Sequence, residues 1–219
     1  MPKSGAIRSF VFASSSSVYG NNEKVPFSED DPVDHPISPY TATKKAGELL
    51  CYSYHHLYGI GVMALRLFTV YGPRQRPDLA IHKFARLLRE GRTIPMYEDG
   101  STARDYTYID DIVQGVGAAL KYVQARPDAY EIVNLGESHT ISLRDMIVVL
   151  GEEMAVEPEV APFPMQPGDV RRTWADVTKA RQLLRYEPAT EFREGVRRFV
   201  RWFEESRAGG TVSYQAGLG

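Results

Sequence analysis

Serine, tyrosine and lysine side chains occupy positions from which they could together remove a proton from an alcohol and return it. The run Ser14–Ser17 ends a hydrophobic segment, and Tyr40 and Lys44 follow after a polar stretch. A free tyrosine is a poor base at neutral pH, but an ammonium group nearby favours the phenolate. Residues four apart share one face of a helix, so Lys44 can act on Tyr40 in this way. A serine hydroxyl could hold the alcohol oxygen while a hydride acceptor took the carbon-bound hydrogen.

The spacing of Tyr40 and Lys44 does not by itself establish catalysis. A Tyr-x-x-x-Lys pair arises readily by chance in a chain with 13 tyrosines, and it is equally compatible with a solvated helix face. Three neighbouring features favour the functional interpretation. The serine run lies at a strand end, a helix opens beside Tyr40, and Tyr71-Gly72-Pro73 closes the next strand.

Two strands and one helix are predicted to position these groups. Ile7–Ser14 and Val62–Phe68 are nearly continuous hydrophobic runs, which is typical of strands buried on both faces. Between them a helix is predicted from Pro39 to about Tyr58, with Ser38 as its N-cap. Its apolar face is predicted from residues that recur at helical spacing, which are Ala46, Leu49, Leu50, Ser53 and Leu57.

Downstream, helices alternate with extended segments, which favours an α/β fold with a parallel sheet and helices on both faces. Helices are predicted over 79–89, 109–123, 143–154, 177–184 and 191–205, and extended segments over 94–97, 104–108, 130–135 and 158–164. The sheet domain is predicted to comprise 1–72 and 109–150, and a smaller lobe 73–108 and 151–208, followed by a tail, 209–219. Ligands bind at the carboxyl ends of such strands, where the serine run and Thr69 fall.

The composition excludes several classes of function. The net charge of −2 gives no basic surface for nucleic acid, and no apolar run approaches the roughly 20 residues that a membrane span needs. A single cysteine, Cys51, excludes an internal disulfide and fits a reducing cytoplasm. His55 and His56 are adjacent and would diverge on a helix, so no metal site is expected.

Four segments in order resemble the extended short-chain dehydrogenases. They are Ser15–Gly20 (Ser-Ser-Ser-Val-Tyr-Gly), Tyr40-x-x-x-Lys44, Leu65–Pro73 and Arg104–Asp111. The likeness spans about Arg8 to Trp202 and is closest to the NAD-dependent epimerases and dehydratases of nucleotide sugars. It implies a Rossmann-like, doubly wound parallel sheet, of which this chain holds the last three strands. It also implies a small C-terminal α/β lobe that binds the substrate.

The resemblance implies a role for individual residues. Ser15 is the catalytic hydroxyl, Tyr40 is the catalytic acid and base, and Lys44 holds the ribose of NAD. Ala13 and Ser14 join Tyr40 and Lys44 in contacting the cofactor. The residues assigned to a UDP-sugar are Ser16, Ser17, Thr69 and Arg76 for a uronate carboxylate, Tyr97 for uracil, Arg104 for the pyrophosphate, Asp169 for the ribose, and Gln166 beside it.

Ser16 and Ser17 bear on the type of reaction that the resemblance implies. Dehydratases of this family carry Asp-Glu at these positions, and decarboxylases carry Glu, so serines leave elimination without a proton carrier. A C4 epimerase needs none, because it oxidises C4 and returns the hydride to the other face. Gly72–Ala80 resembles the UDP-glucuronate 4-epimerases, which favours conversion of UDP-glucuronate to UDP-galacturonate. A UDP-glucose 4-epimerase, a decarboxylase, a dehydratase and a non-catalytic nucleotide-sugar-binding fragment stay open.

Some of these residues also have structural explanations. Arg76 could solvate a loop, Tyr97 could be a core aromatic of the lobe, and Arg104 could pair with Asp105 at the surface.

Family members also carry a Gly-x-x-Gly-x-x-Gly turn well before the serine run, and this sequence has no such turn. We therefore expect the chain alone to bind NAD poorly. We also expect the strand at 7–14 to present an open edge, and the chain to form a homodimer or to associate through that edge.

Overall fold

The computed structural model describes residues 7–164 and 170–208, which form an α/β fold. The strands are β1 (Ser9–Ser15), β2 (Gly61–Leu67), β3 (Thr69–Tyr71), β4 (Ile94–Tyr97), β5 (Ala103–Arg104), β6 (Tyr106–Tyr108), β7 (Tyr130–Leu135), β8 (Ile141–Ser142) and β9 (Val160–Phe163). The helices are α1 (Pro39–Tyr58), α2 (Ala80–Arg89), α3 (Ile109–Ala125), α4 (Leu143–Met154), α5 (Thr178–Leu184) and α6 (Phe192–Ala208). The sequence did not predict a short 3-10 helix, Ser16–Tyr19.

Strands β1, β2 and β7 form a parallel sheet in the order β1-β2-β7. Met63 and Leu65 of β2 pack in one core with Ala119 of α3, whereas Arg66 meets Glu48 of α1. Because side chains alternate along a strand, α1 and α3 cover opposite faces of the sheet. The predicted partial, doubly wound parallel sheet is therefore confirmed.

Helix α1 begins and ends where the sequence predicts. The side chain of Ser38 accepts a hydrogen bond from the amide of Thr41 at 3.2 Å, and Pro39 occupies the first turn. At the other end Gly59 has φ +62°, a left-handed conformation that glycine adopts without strain. Together these two ends fix which residues of α1 lie beside the carboxyl end of β1.

The apolar face that the sequence predicts for α1 is wrong. Leu49, Leu50 and Leu57 are exposed, at 59%, 60% and 67%, and the other two residues of that row are exposed as well. The buried residues of α1 are instead Thr41, Glu48 and Cys51. Glu48 can face the sheet because it meets a cation there, which the helical periodicity of apolar residues does not reveal.

The described residues form two apolar cores. The first joins the sheet to α3 and α5, and the second joins α2, α4 and α6 to strands β4 and β6. In the second, β4 pairs with β9 in parallel, while β3–β6 and β5–β8 are short connecting ladders. The sequence assigned 143–150, most of α4, to the sheet domain and α5 to the lobe. In the structure the side chains of α4 pack in the second core and those of α5 in the first. The division of the chain into two domains stays a prediction.

The outer side of β1 has no paired strand among the described residues. Phe10 of β1 is 44% exposed, and Val113 and Leu120 of α3 are 59% and 42% exposed. Association through this edge stays a prediction. In the described parts of the chain, no helix combines the length and apolar character that a bilayer crossing requires.

Candidate active site

The serine run turns sharply at the carboxyl end of β1. The Ser15 hydroxyl accepts a hydrogen bond from the Ser17 amide at 3.2 Å and so caps the 3-10 helix that follows. Ser14 points the other way, since its hydroxyl donates to Glu48 at 2.7 Å. Side chains alternate along β1, so Ser15 is directed away from the face that holds Ser14.

Tyr40 and Lys44 lie one turn apart at the start of α1, as predicted. The Lys44 amine is 5.5 Å from the centre of the Tyr40 ring and donates a hydrogen bond to the carbonyl of Ala13 at 2.9 Å. Ala13 precedes Ser15 by two residues, so the lysine joins the helix to the strand end. Lys44 is therefore not merely part of a solvated face, although the Tyr40 side chain is 55% exposed.

A cavity of about 240 Å³ lies beside the serine run. Its described lining includes Ser15, Ser16, Ser17, Ser38, Thr41, Thr69, Arg104 and Thr173. The sequence predicted five of these residues, the three serines with Thr69 and Arg104. No carboxylate belongs to the lining that the structure describes, and the Ser17 hydroxyl is buried without a hydrogen-bond partner there. The cavity can therefore supply hydroxyl donors and one guanidinium to an anionic, oxygen-rich ligand.

A second cavity of about 220 Å³ shares Thr69 and Arg104 with the first. Its lining is more apolar and includes Leu79, Phe84 and Tyr97. Tyr97 also packs against the second core, so the structural and the ligand-facing interpretations of this residue are compatible. The two cavities flank Arg104, which is the arrangement that a ligand with a charged centre and two different ends would require.

Arg104 is not half of a surface ion pair with Asp105, as one interpretation of the sequence allowed. Asp105 is fully buried and accepts hydrogen bonds from the amides of Glu137, Ser138 and Ala175 at 2.7–3.1 Å, and from the Thr107 hydroxyl. Burial raises the pKa of Asp105 to about 6, although these donors favour its charged form. Asp105 thus joins three chain segments behind Arg104, a role that sequence reasoning missed.

A buried ion pair behind the serine run was also missed. Arg66 donates to both oxygens of Glu48, at 2.9 Å and 3.0 Å, and each residue is 1% exposed. Burial alone would raise the pKa of Glu48, but the hydrogen bonds and charge of Arg66 outweigh it and lower that pKa. The partners are 18 residues apart, so only the pairing of β2 with β1 and α1 brings them together.

Five of the predicted residues that the structure describes line neither of these cavities: Ala13, Ser14, Tyr40, Lys44 and Arg76. Arg76 instead forms an exposed pair with Asp78 at 2.7 Å. Gln166 and Asp169 lie outside the described residues. The roles of Arg76, Gln166 and Asp169, like those of the other predicted site residues, stay predictions. In the described segments, no group of three or more His, Cys, Asp and Glu side chains could hold a metal ion.

The motifs and this geometry agree with a family comparison. Residues 3–199 match the model of the family described as GDP-mannose 4,6 dehydratase. The chain belongs to this family. The match covers nearly the whole chain, so the resemblance to nucleotide-sugar epimerases and dehydratases is confirmed.

Individual relatives narrow the likeness within the family. An uncharacterized protein of Methanocaldococcus jannaschii is 47% identical over 201 residues, which are 92% of this chain and 60% of the relative. The UDP-glucuronate 4-epimerase of Thermodesulfobacterium geofontis is 43% identical over 205 residues, which are 93% of this chain and 62% of the relative. The chain therefore spans less than two thirds of the length of these relatives.

A solved structure resembles the whole described fold. It is the UDP-glucuronic acid 4-epimerase from Bacillus cereus in complex with UDP-glucuronic acid and NAD. It is 36% identical, with a TM-score of 0.84, and the match covers 90% of this chain and 62% of that one. The sheet and lobe described above are thus shared with a protein of the family.

Proposed function

We propose that this chain carries the catalytic and sugar-binding part of an NAD-dependent UDP-sugar 4-epimerase whose substrate is UDP-glucuronate. The observation that carries the proposal is the cavity beside the serine run. Its described lining has the hydroxyls of Ser16 and Ser17 at the positions where elimination would need an acid. The relatives named UDP-glucuronate 4-epimerase support the same reaction.

The chemistry of the chain's own residues is proton transfer at the C4 oxygen. Tyr40 accepts the proton of the C4 hydroxyl as C4 becomes a ketone, and it returns that proton when the other epimer forms. The Lys44 amine, 5.5 Å from the centre of the Tyr40 ring, places a positive charge beside the group that exchanges this proton. The Ser15 hydroxyl, which accepts from the Ser17 amide, keeps its own proton to donate to the C4 oxygen.

The residues present fit the nicotinamide-ribose side of NAD. Lysine has three donors, and Lys44 uses one on the Ala13 carbonyl, which leaves two for ribose hydroxyls. Ser14 has given its hydroxyl to Glu48, so only its backbone could contact the cofactor. When bound, NAD supplies the hydride acceptor and donor for C4.

The substrate carboxylate and the nucleotide have separate candidates. The hydroxyls of Ser16, Ser17 and Thr69 would donate to the carboxylate of the uronate, and the unpartnered Ser17 hydroxyl supports this placement. Arg104 would meet the pyrophosphate between the two cavities, and Tyr97 would stack on uracil in the second. A sugar with a neutral C6 hydroxymethyl would gain less from this set of donors.

The test is turnover of UDP-glucuronate by the chain at NAD concentrations high enough to offset the poor binding expected of the chain alone, with products separated by chromatography. We expect UDP-galacturonate from the wild type and a loss of at least about 100-fold in Tyr40→Phe. Tyr54→Phe is the matched control, because Tyr54 lies on the same helix and is equally exposed, at 55%. An inactive wild type, equal rates for both variants, or a pentose product with release of CO₂ would each contradict the proposal.

A further inference from the structure

A row of polar residues crosses the sheet one position before the catalytic serine. Ser14 of β1 pairs in register with Arg66 of β2, which pairs in turn with Asn134 of β7. Their exposures are 3%, 1% and 0%. Residues in one register row point to the same face of a sheet. A buried layer that apolar side chains could fill is therefore polar across all three strands.

Arg66 is the centre of this layer and has partners on two sides. On one side Glu48 accepts two of its hydrogen bonds, and the same carboxylate accepts a bond from Ser14 at 2.7 Å. On the other side Arg66 donates to the Tyr19 hydroxyl at 3.0 Å, and its guanidinium carbon lies 4.9 Å from the centre of that ring. Tyr19 in turn donates to Asn134 at 2.7 Å.

This hydrogen-bond network reaches the residues on both sides of the serine run, and it also reaches helix α1, which carries Tyr40 and Lys44. Ser14 immediately precedes Ser15, and Tyr19 ends the 3-10 helix that contains the other two serines. Glu48 follows Lys44 by four residues, which is one turn of α1. One guanidinium–carboxylate pair thus connects the strand, the turn and the helix that together carry the catalytic groups.

We propose that the buried Glu48–Arg66 pair is a positioning device that sets the serine run against Tyr40 and Lys44. The inference rests on the proposed reaction for the roles of those groups. Replacing a buried ion pair by apolar residues is often neutral or stabilising, so stability alone does not explain charges in this layer. Bidentate geometry fixes orientation as well as distance, which is what a reacting constellation needs.

Two tyrosines give a matched pair of variants that test the connection to the 3-10 helix. Both rings are buried, at 3% exposure for Tyr19 and 0% for Tyr186. The Tyr19 hydroxyl has Arg66 and Asn134 as partners, whereas the Tyr186 hydroxyl has no hydrogen-bond partner among the described residues. Tyr19→Phe therefore breaks the network, and Tyr186→Phe removes the same oxygen without breaking a bond.

Two serines of β1 give a second matched pair. Ser14→Ala removes the bond to Glu48 and leaves the ion pair in place. Ser9→Ala, near the other end of the strand, removes a bond of 3.3 Å to the Val123 carbonyl. Both changes delete one hydroxyl from the same strand. A difference in their effects therefore shows that the bond to Glu48 matters because it belongs to the network, and not only because a hydrogen bond is lost.

The first measurement needs no ligand. Amide hydrogen exchange of residues 15–20 should become about tenfold faster in Tyr19→Phe and in Ser14→Ala, the effect of losing about one buried hydrogen bond. Exchange in α4, which lies in the other core, should not change, and the two control variants should match the wild type throughout. Unchanged exchange at 15–20, or equal acceleration in α4, would overturn the proposal.

The second measurement separates positioning from binding. In the epimerisation assay, Tyr19→Phe should lower kcat about tenfold and leave KM for UDP-glucuronate within about twofold, because misplaced groups affect the reaction step. Tyr186→Phe should keep both constants. A rise in KM at constant kcat would overturn the proposal. A wild type without turnover would contradict the proposed function, and the hydrogen-exchange result would still decide the positioning role.

Discussion

Helices α1 and α2 are both packed against the fold, but they are held by opposite kinds of side chain. Helix α2 buries Ile81, Phe84, Ala85, Leu87 and Leu88 and turns its polar face outward. Helix α1 buries Thr41, Glu48 and Cys51 and exposes a row of leucines and tyrosines. The first arrangement gives stability through apolar area, and the second gives directional contacts beside the groups proposed to be catalytic.

The difference indicates that the two helices have different tasks. Apolar contacts tolerate small rotations and shifts, whereas a bidentate ion pair and a lysine–carbonyl bond do not. Helix α2 lies in the second core and supplies the cavity that Tyr97 lines. Helix α1 carries Tyr40 and Lys44, whose positions relative to Ser15 decide, in the proposed reaction, whether a proton can be transferred.

The largest effect is expected from breaking the ion pair of α1 on one side only. Glu48→Leu leaves the Arg66 guanidinium buried without its counter-charge and should lower the free energy of unfolding by about 3–5 kcal/mol. The double variant Glu48→Leu/Arg66→Met should recover to within about 1 kcal/mol of the wild type. Urea unfolding of the three proteins measures this. A double variant as unstable as the single one would show that the charges themselves stabilise the fold.

The next largest difference is expected when one apolar side chain in each helix is truncated to alanine, because the loss of stability should be large in α2 and small in α1. Phe84→Ala in α2 empties a site that is 2% exposed and should cost about 3–5 kcal/mol. Leu50→Ala in α1, at 60% exposure, should change stability by no more than about 0.5 kcal/mol. Both values come from the same urea titrations. A large cost for Leu50→Ala would mean that the exposed face of α1 is covered in solution.

Two helical glycines test how closely α1 approaches β1. A Cβ atom at Gly47 would lie 2.2 Å from the ring of Phe12, whereas one at Gly117 of α3 would meet nothing within 4 Å. Gly47→Ala should therefore cost about 1–3 kcal/mol through overpacking. Gly117→Ala should gain up to about 1 kcal/mol from helix propensity. Thermal melting of both variants checks this, and equal effects would contradict the close approach.

Glu137 extends the comparison to a carboxyl group that forms no ion pair within the described residues, although the charge of Arg181 lowers its pKa to some extent. Burial, followed by the charges of Asp111 and Asp105, raises the pKa of Glu137 to about 7. The folded protein then keeps a proton that the unfolded chain releases near pH 4.5. Its contribution to stability is thus fully present below that pH and is lost as the pH rises through about 7.

Glu137→Gln should remove this dependence and exceed the wild type in stability at pH 8 by about 1 kcal/mol. The exposed Glu157→Gln provides a control with the same chemical change. Urea unfolding at pH 5 and pH 8 measures both variants. A variant that is less stable than the wild type at pH 8 would show that the Glu137 carboxylate has a favourable partner.

The sequence was sufficient for features that depend on neighbours along the chain. Ser38 was predicted to begin α1, and its side chain accepts the capping hydrogen bond. Tyr40 and Lys44 were likewise predicted to share one helix face. The buried side of α1 could not be predicted, because the burial of Glu48 depends on Arg66 in strand β2. Asp105 was missed for the same reason, since three of its partners come from two distant segments, Glu137 with Ser138 and Ala175.

The most direct test of the proposed reaction is a crystal structure of the chain with UDP-glucuronate, in which the distance from the sugar C4 oxygen to the Tyr40 hydroxyl is measured. We predict that the sugar lies beside the serine run, with its C4 oxygen in hydrogen-bond contact with both Ser15 and Tyr40, and that uracil lies against Tyr97. A sugar in the cavity of Tyr97, or a C4 oxygen out of reach of Tyr40, would contradict the proposed function.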